Sequence, residues 1–222
     1  MRAAGGIGGK RRYDSMRGGG ARKRRYHHGD LRRALVQAAL RLIDEAGPRE
    51  FTLREVARSV GVTHTALYRH FPDKAALLAV VAEDGFRALK AAILRACAKV
   101  PDPLARFQQA GVAYVRFALA HPSHFRVMFR AEASARHPPL QKVKDETFAL
   151  VVSAIEACQT QGLVRAGSAT ELALPAWAIV HGLAALLVDR SPRIQRTRVS
   201  ADQLARSVTE TLMEGMARRD RT

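Results

Sequence analysis

The sequence predicts an all-α protein of about nine helices, and three observations carry that prediction. Apolar residues recur at three- and four-residue spacing through most of the chain. Leu, Ala, Val and Arg dominate, whereas clusters of β-branched residues are few, which favours helix over sheet. Glycine and proline at Gly47-Pro48, Pro72, Pro101, Pro103 and Pro138-Pro139 punctuate the periodic stretches. With 222 residues and a hydrophobic content of 47%, there is material for one large or two small domains with a sizeable core.

Each element has its own signal. Residues 1–28 are rich in glycine and arginine without periodicity and read as a disordered basic arm. Asp30 can cap a first helix with Leu31, Leu35, Ala38, Ala39, Leu42 and Ile43 on one face, stopped at Gly47-Pro48. Thr52 followed by Glu55 is a capping-box pattern, and Leu53, Val56, Ala57 and Val60 form the buried face of a second helix. Gly61 suits a sharp turn, Thr63 can cap a third short helix, and Leu67 and Phe71 point back to the second. A long helix from about Asp73 to Ala98 carries Leu77, Leu78, Val81, Phe86, Leu89, Ile93 and Leu94. Further helices are expected over 103–120, over the short run SHFRVMF, from Pro138 to about Gln161, and over 169–188 and 200–217. Pro175 should kink or restart its helix.

The formal net charge is +17. Residues 1–28 hold nine Lys/Arg and one Asp, so the arm contributes +8. The remaining chain has 28 Lys/Arg against 19 Asp/Glu and contributes +9. Charge of this size favours a polyanionic partner through counterion release, although a solvated basic surface would look the same. Cys97 and Cys158 stand in apolar helical stretches without metal-ligand spacing, which suits free thiols in a reducing cytoplasm. The basic N-terminus lacks the apolar segment of a signal peptide, and no run of 18 apolar residues lacks a charge, so no membrane span is expected. Neither His121 with His124 nor His64 with His70 has hydrolytic zinc spacing, and neither a nucleophile elbow nor a phosphate loop is present. No enzyme, metal or cofactor is expected.

Two short helices joined at a glycine and packed on a preceding helix make a helix-turn-helix, whose second helix presents its N-terminal residues to base edges in the major groove. Thr63 and Thr65 can bond a phosphate or base, and their methyls can touch a thymine methyl. His64 projects from the same turn. Tyr68 and His70 follow as a backbone clamp, with Lys74 just beyond, and Arg69 between them is a further candidate DNA contact. Thr52 and Thr63 would be caps in any protein, but a cap can also meet a phosphate. Leu67 and Phe71 are core.

The segment FTLREVARSVGVTHTALYRHFPDKAALLAVVAEDGF resembles the DNA-binding region of the TetR family of bacterial transcriptional regulators. The match rests on Thr52, Ala57, Gly61-Val62, Thr63, Leu67-Tyr68, His70-Phe71, Lys74 and Leu77-Leu78, and spans roughly residues 30–78. Thr65 departs from the glycine that many members carry, and its branched side chain narrows the approach to DNA. The resemblance implies a DNA-binding head over residues 29–74 and a helical ligand-binding and dimerisation body over residues 75–222. The usual role is a repressor on a palindromic operator, with a homodimer and a small-molecule effector as partners.

In the body, Trp177, His181 and Gly182 resemble the subgroup with a Trp-x-x-x-His-Gly motif. An effector cavity would be lined by Tyr114, Phe117, Phe125, Met128, Phe129, Trp177 and His181; the plain alternative is that these residues fill the core. The resemblance further implies a two-fold helical interface through Gly182, Leu183, Leu186, Leu187, Leu204, Val208, Leu212 and Met216. A competing reading is a non-specific nucleic-acid-binding or nucleoid-associated protein driven by the basic arm.

Overall fold

A computed structural model of the chain describes residues 28–130, 137–192, 196 and 198–217. The arm expected over residues 1–28 therefore lies almost wholly outside the described residues. Those residues form nine helices: α1 His28–Ala46, α2 Leu53–Val60, α3 His64–Tyr68, α4 Lys74–Cys97, α5 Pro103–Ala120, α6 Pro122–Met128, α7 Pro138–Thr160, α8 Ala169–Val188 and α9 Ala201–Met216. The all-α expectation holds, with a single isolated bridge between Val164 and Ala217 as the extended pairing among the described residues.

Local chemistry fixes the boundaries. Asp30 does not cap α1; the helix starts two residues earlier and Asp30 sits in its first turn, where a carboxylate still suits the helix dipole. The α2 capping box forms as read: the Thr52 N–H donates to Glu55 Oε2 at 2.7 Å, and the Glu55 N–H donates to Thr52 Oγ1 at 3.3 Å. Asp73, Asp102, Ser168 and Ser200 cap α4, α5, α8 and α9 in the same way. Helix α8 runs unbroken through Pro175 rather than restarting there. The missing N–H falls on an exposed face, where water can take the freed carbonyl.

One apolar core runs from head to body. Leu35, Ala38, Ala39 and Ile43 of α1 meet Val56, Leu67 and Phe71, and the same cluster continues through Leu77, Val81 and Leu89 of α4 into α5, α6 and α8. A second cluster closes the far end of the body around Phe107, Ile155, Leu172, Leu212 and Met216. Helix α1 packs on α4 and α6, and α4 on α5, α6 and α7. Ser123 Oγ of α6 donates to Asp44 Oδ1 of α1 at 3.2 Å, a polar tie across the same junction. Leu94, one of the apolar residues that α4 carries, is 49% exposed.

Helix α8 is long and apolar enough to cross a membrane by length and composition, with a mean hydropathy of 1.7. Leu172, Ala173, Ala176, Val180, Leu183, Ala184 and Val188 place one of its faces in the body. The opposite face leaves Leu174, Ile179 and Leu186 about half exposed.

Candidate nucleic-acid interface and body cavity

The head presents a short helix held by its neighbours. Gly61 ends α2 at φ +74°, and its N–H reaches Ala57 and Arg58 carbonyls. The left-handed backbone turns the chain, and a side chain there would be strained. Thr63 Oγ1 accepts from the Ala66 N–H at 3.2 Å and starts α3. Leu67 and Phe71 are fully buried and fix the inner face.

The outer face follows from that anchoring. Thr63, Thr65 and Arg69 are exposed, Tyr68 is 44% exposed, and His64 and His70 are half-buried. The His64 ring meets Tyr68 edge-on with centroids 4.4 Å apart, so the two aromatics form one ledge along α3. Arg54 is exposed in the first turn of α2 beside the exposed Thr52, a neighbour that sequence reading did not include. The Thr52 backbone N–H, and then its hydroxyl, hold the Glu55 carboxylate below its ordinary range. Residues 29–74 carry eight Lys/Arg and six Asp/Glu, a net +2, so most of the electrostatic pull toward a polyanion resides elsewhere in the chain.

Lys74 departs from its expected role as a charge offered to phosphate. Its ammonium donates to the Arg49 carbonyl at 2.9 Å and the Phe51 carbonyl at 2.5 Å, and lies 4.1 Å from the Phe51 ring centroid. It ties the start of α4 to the loop between α1 and α2.

The body holds a cavity in two lobes that share Ile93, Tyr114, Val151 and Trp177 as walls. The outer chamber is about 350 Å³, bounded by Phe86, Phe129 and Phe148, with Lys144 and Asp145 among its lining residues. The inner lobe, about 50 Å³, is walled by Phe107, Gly111, Ala154 and Val180. Tyr114 and His181 are joined by a 2.8 Å hydrogen bond between Oη and Nδ1. Burial pushes the Tyr114 phenol well above its ordinary range, offset in part by hydrogen bonding from Trp177, and burial pushes the His181 imidazole down. Both groups are neutral near pH 7.

Of the seven residues expected around a cavity, Tyr114, Phe129 and Trp177 line it. His181 stands behind Tyr114, packed against Phe129 with centroids 4.4 Å apart. Phe125 and Phe117 are buried packing residues, facing His181 and His121. Met128 fills the α4–α6 contact, where a Cβ on Gly85 would stand 2.7 Å from its Sδ. The walls that sequence reading missed, Phe86 and Ile93 of α4 and Phe148 and Val151 of α7, carry only the apolar periodicity of any core helix.

The expected pairing surface also divides. Leu183, Leu212 and Met216 are buried within the single chain, packed in its own core clusters. Leu186 is half exposed, and Gly182, Leu187, Leu204 and Val208 are partly exposed. Exposed Leu174 and Ile179 extend that apolar stripe along α8.

Comparison with known proteins agrees with this arrangement. Residues 35–81 match the family described as "Bacterial regulatory proteins, tetR family", and residues 107–212 match "Tetracyclin repressor-like, C-terminal domain". A structure of a protein with unknown function from Rhodococcus sp. RHA1 is similar at TM-score 0.75 and 32% identity, covering 88% of this chain and 100% of that one. The structure of AibR in complex with isovaleryl coenzyme A and operator DNA shares the fold at TM-score 0.67 and 19% identity, covering 82% of this chain and 97% of that one. The nucleoid occlusion factor SlmA of Vibrio vulnificus is 33% identical over 98 residues, or 44% of this chain and 50% of SlmA. The chain thus spans about half the length of the first curated relatives it matches.

Proposed function

The chain belongs to the TetR family of DNA-binding transcriptional regulators, and from that premise we propose that it is a dimeric repressor released from, or locked onto, a palindromic operator by a small molecule in the body cavity. The observation that carries the reading is the continuous core joining α1 to α4 and α6, with an apolar cavity against the far part of α4. A ligand that fits one body conformation better than another shifts the spacing of two paired heads, by no more than its differential affinity. The apolar stripe on α8 is the surface that a second copy would cover, and two heads would then read two half-sites one helical turn apart. The homodimer would act in the cytoplasm, on the nucleoid.

Thr63, His64, Thr65 and Tyr68 face the groove in this reading, with Thr52, Arg69 and His70 toward the backbone. Tyr68→Ala is expected to weaken binding to a palindromic site upstream of the chain's own gene by about tenfold, consistent with loss of one stacking or hydrogen-bonding side chain of ~1–3 kcal/mol. Unchanged affinity in a gel-shift titration defeats the head assignment. The similarity to SlmA, with the basic arm, supports a second reading as a nucleoid-associated protein. Deleting residues 1–25 separates the two: an equal loss on all sequences leaves operator recognition in the head, whereas loss of sequence preference favours the second.

A further inference from the structure

The chemistry of the cavity restricts what it can hold. This inference rests on the cavity being the effector site. The chamber is bounded by the aromatic rings of Phe86, Phe129, Phe148 and Trp177, which favours flat or ring-bearing apolar bodies over extended polar ones. At about 350 Å³ it lies at the small end of the ~300–1,000 Å³ range of small-molecule sites. Among the residues lining the inner lobe only Thr209, Tyr114 and Trp177 carry polar side-chain groups, and the Thr209 hydroxyl is already bonded to the Ala205 carbonyl at 3.0 Å.

Tyr114 and Trp177 are the polar-bearing residues that line both lobes, and with the Trp177 indole engaged on Tyr114 it is Tyr114 Oη that is left to meet a ligand. It is held by His181 Nδ1 at 2.8 Å from a position outside the lining. An imidazole protonated at Nδ1 donates to the phenol oxygen and turns the phenol O–H toward the cavity, where it can donate to an acceptor. A charged group seated there would meet two neutral partners and lose its hydration uncompensated. Lys144 and Asp145 both line the outer chamber, and the Asp145 carboxylate also accepts from Gln141 Nε2 at 2.7 Å, so the charged part of its lining carries both signs.

We propose that neutral His181 carries its proton on Nδ1, and that the cavity binds an uncharged, ring-bearing apolar molecule with one hydrogen-bond acceptor, a cyclic ketone in chemical class, with its carbonyl on Tyr114 Oη. His181 is then a positioning residue that sets the direction of the phenol O–H.

Trp177, the chain's only tryptophan, is a wall of both lobes, so its fluorescence reports occupancy. The test titrates the full-length protein with 2-decalone, with decalin, and with decahydronaphthalene-2-carboxylate, following Trp177 emission and operator affinity in the same samples. The expected order places the ketone tightest. Tyr114→Phe, which keeps the ring and loses the hydroxyl, should weaken the ketone about tenfold while leaving decalin unchanged. The proposal is overturned if the carboxylate binds more tightly than the ketone, if Tyr114→Phe leaves ketone affinity intact, or if 2-decalone leaves the emission unaltered. Ketone binding that obeys the expected order without changing operator affinity supports the ligand class and overturns the effector reading on which it rests.

Discussion

Gly61 stands at φ +74° with nothing within 4 Å of where a Cβ would lie, so a substitution there costs backbone strain and no clash. Gly61→Ala is expected to destabilise the protein by about 1–2 kcal/mol, read as a lower urea midpoint, and to weaken operator binding because α3 loses its fixed angle to α2. A second residue-scale expectation concerns His124 and His181, whose imidazoles burial holds below the ordinary value of 6.5, with His121 adding repulsion at His124. The unfolded chain takes up protons at these positions before the folded one does. Their contribution to stability is therefore complete above about pH 6.5 and is lost as the pH falls through the depressed folded values. The urea midpoint should drop between pH 7 and pH 5, and His124→Gln should flatten that drop; an unchanged slope removes His124 from the account.

Helix α4 begins at a residue whose role changed between sequence and structure. Lys74 looks like a phosphate contact in sequence because it follows the reading helix, but its ammonium holds the Arg49 and Phe51 carbonyls. Lys74→Ala is expected to lower the melting temperature by several degrees, with the salt dependence of operator binding unchanged; a phosphate contact would instead reduce the salt slope by about one. The same division runs through the other elements. Caps and turns such as Thr52, Gly61 and Thr63 were legible because their partners lie within four residues. The faces of α1 to α3 were legible because Leu35 with Ala38, Ala39 and Ile43, Leu53 with Val56 and Ala57, and Leu67 with Phe71 each stand at helical spacing. Cavity and surface were not, because Phe125, which packs, and Phe148, which lines, have the same local pattern. Only the three-dimensional arrangement of α4, α7 and α8 separates them. Leu183 and Leu186 show the same limit on one helix: three residues apart, one is buried and one half exposed.

At the scale of the whole molecule, the exposed apolar stripe of α8 is the surface on which the proposed dimer rests. Leu174 also borders the cavity, so Ile179 and Leu186 test pairing more cleanly. Ile179→Asp with Leu186→Asp should give a monomer by light scattering with an unchanged helical spectrum. Binding to the palindrome should fall by at least a hundredfold while half-site binding persists, because linking two modules raises apparent affinity through effective concentration. A double variant that remains dimeric moves the interface elsewhere. The head was expected as a separate unit over residues 29–74, yet its core does not stop there: Leu77 and Val81, both fully buried, belong to the same cluster as Leu35 and Phe71, and Ser123 reaches back to Asp44. Anyone grafting a foreign head onto this body would cut through shared packing at residue 74. A working chimaera must carry over the first two turns of α4 and re-match the α6 side chains beneath α1, whereas substitutions on the exposed edge of α3 leave that packing intact.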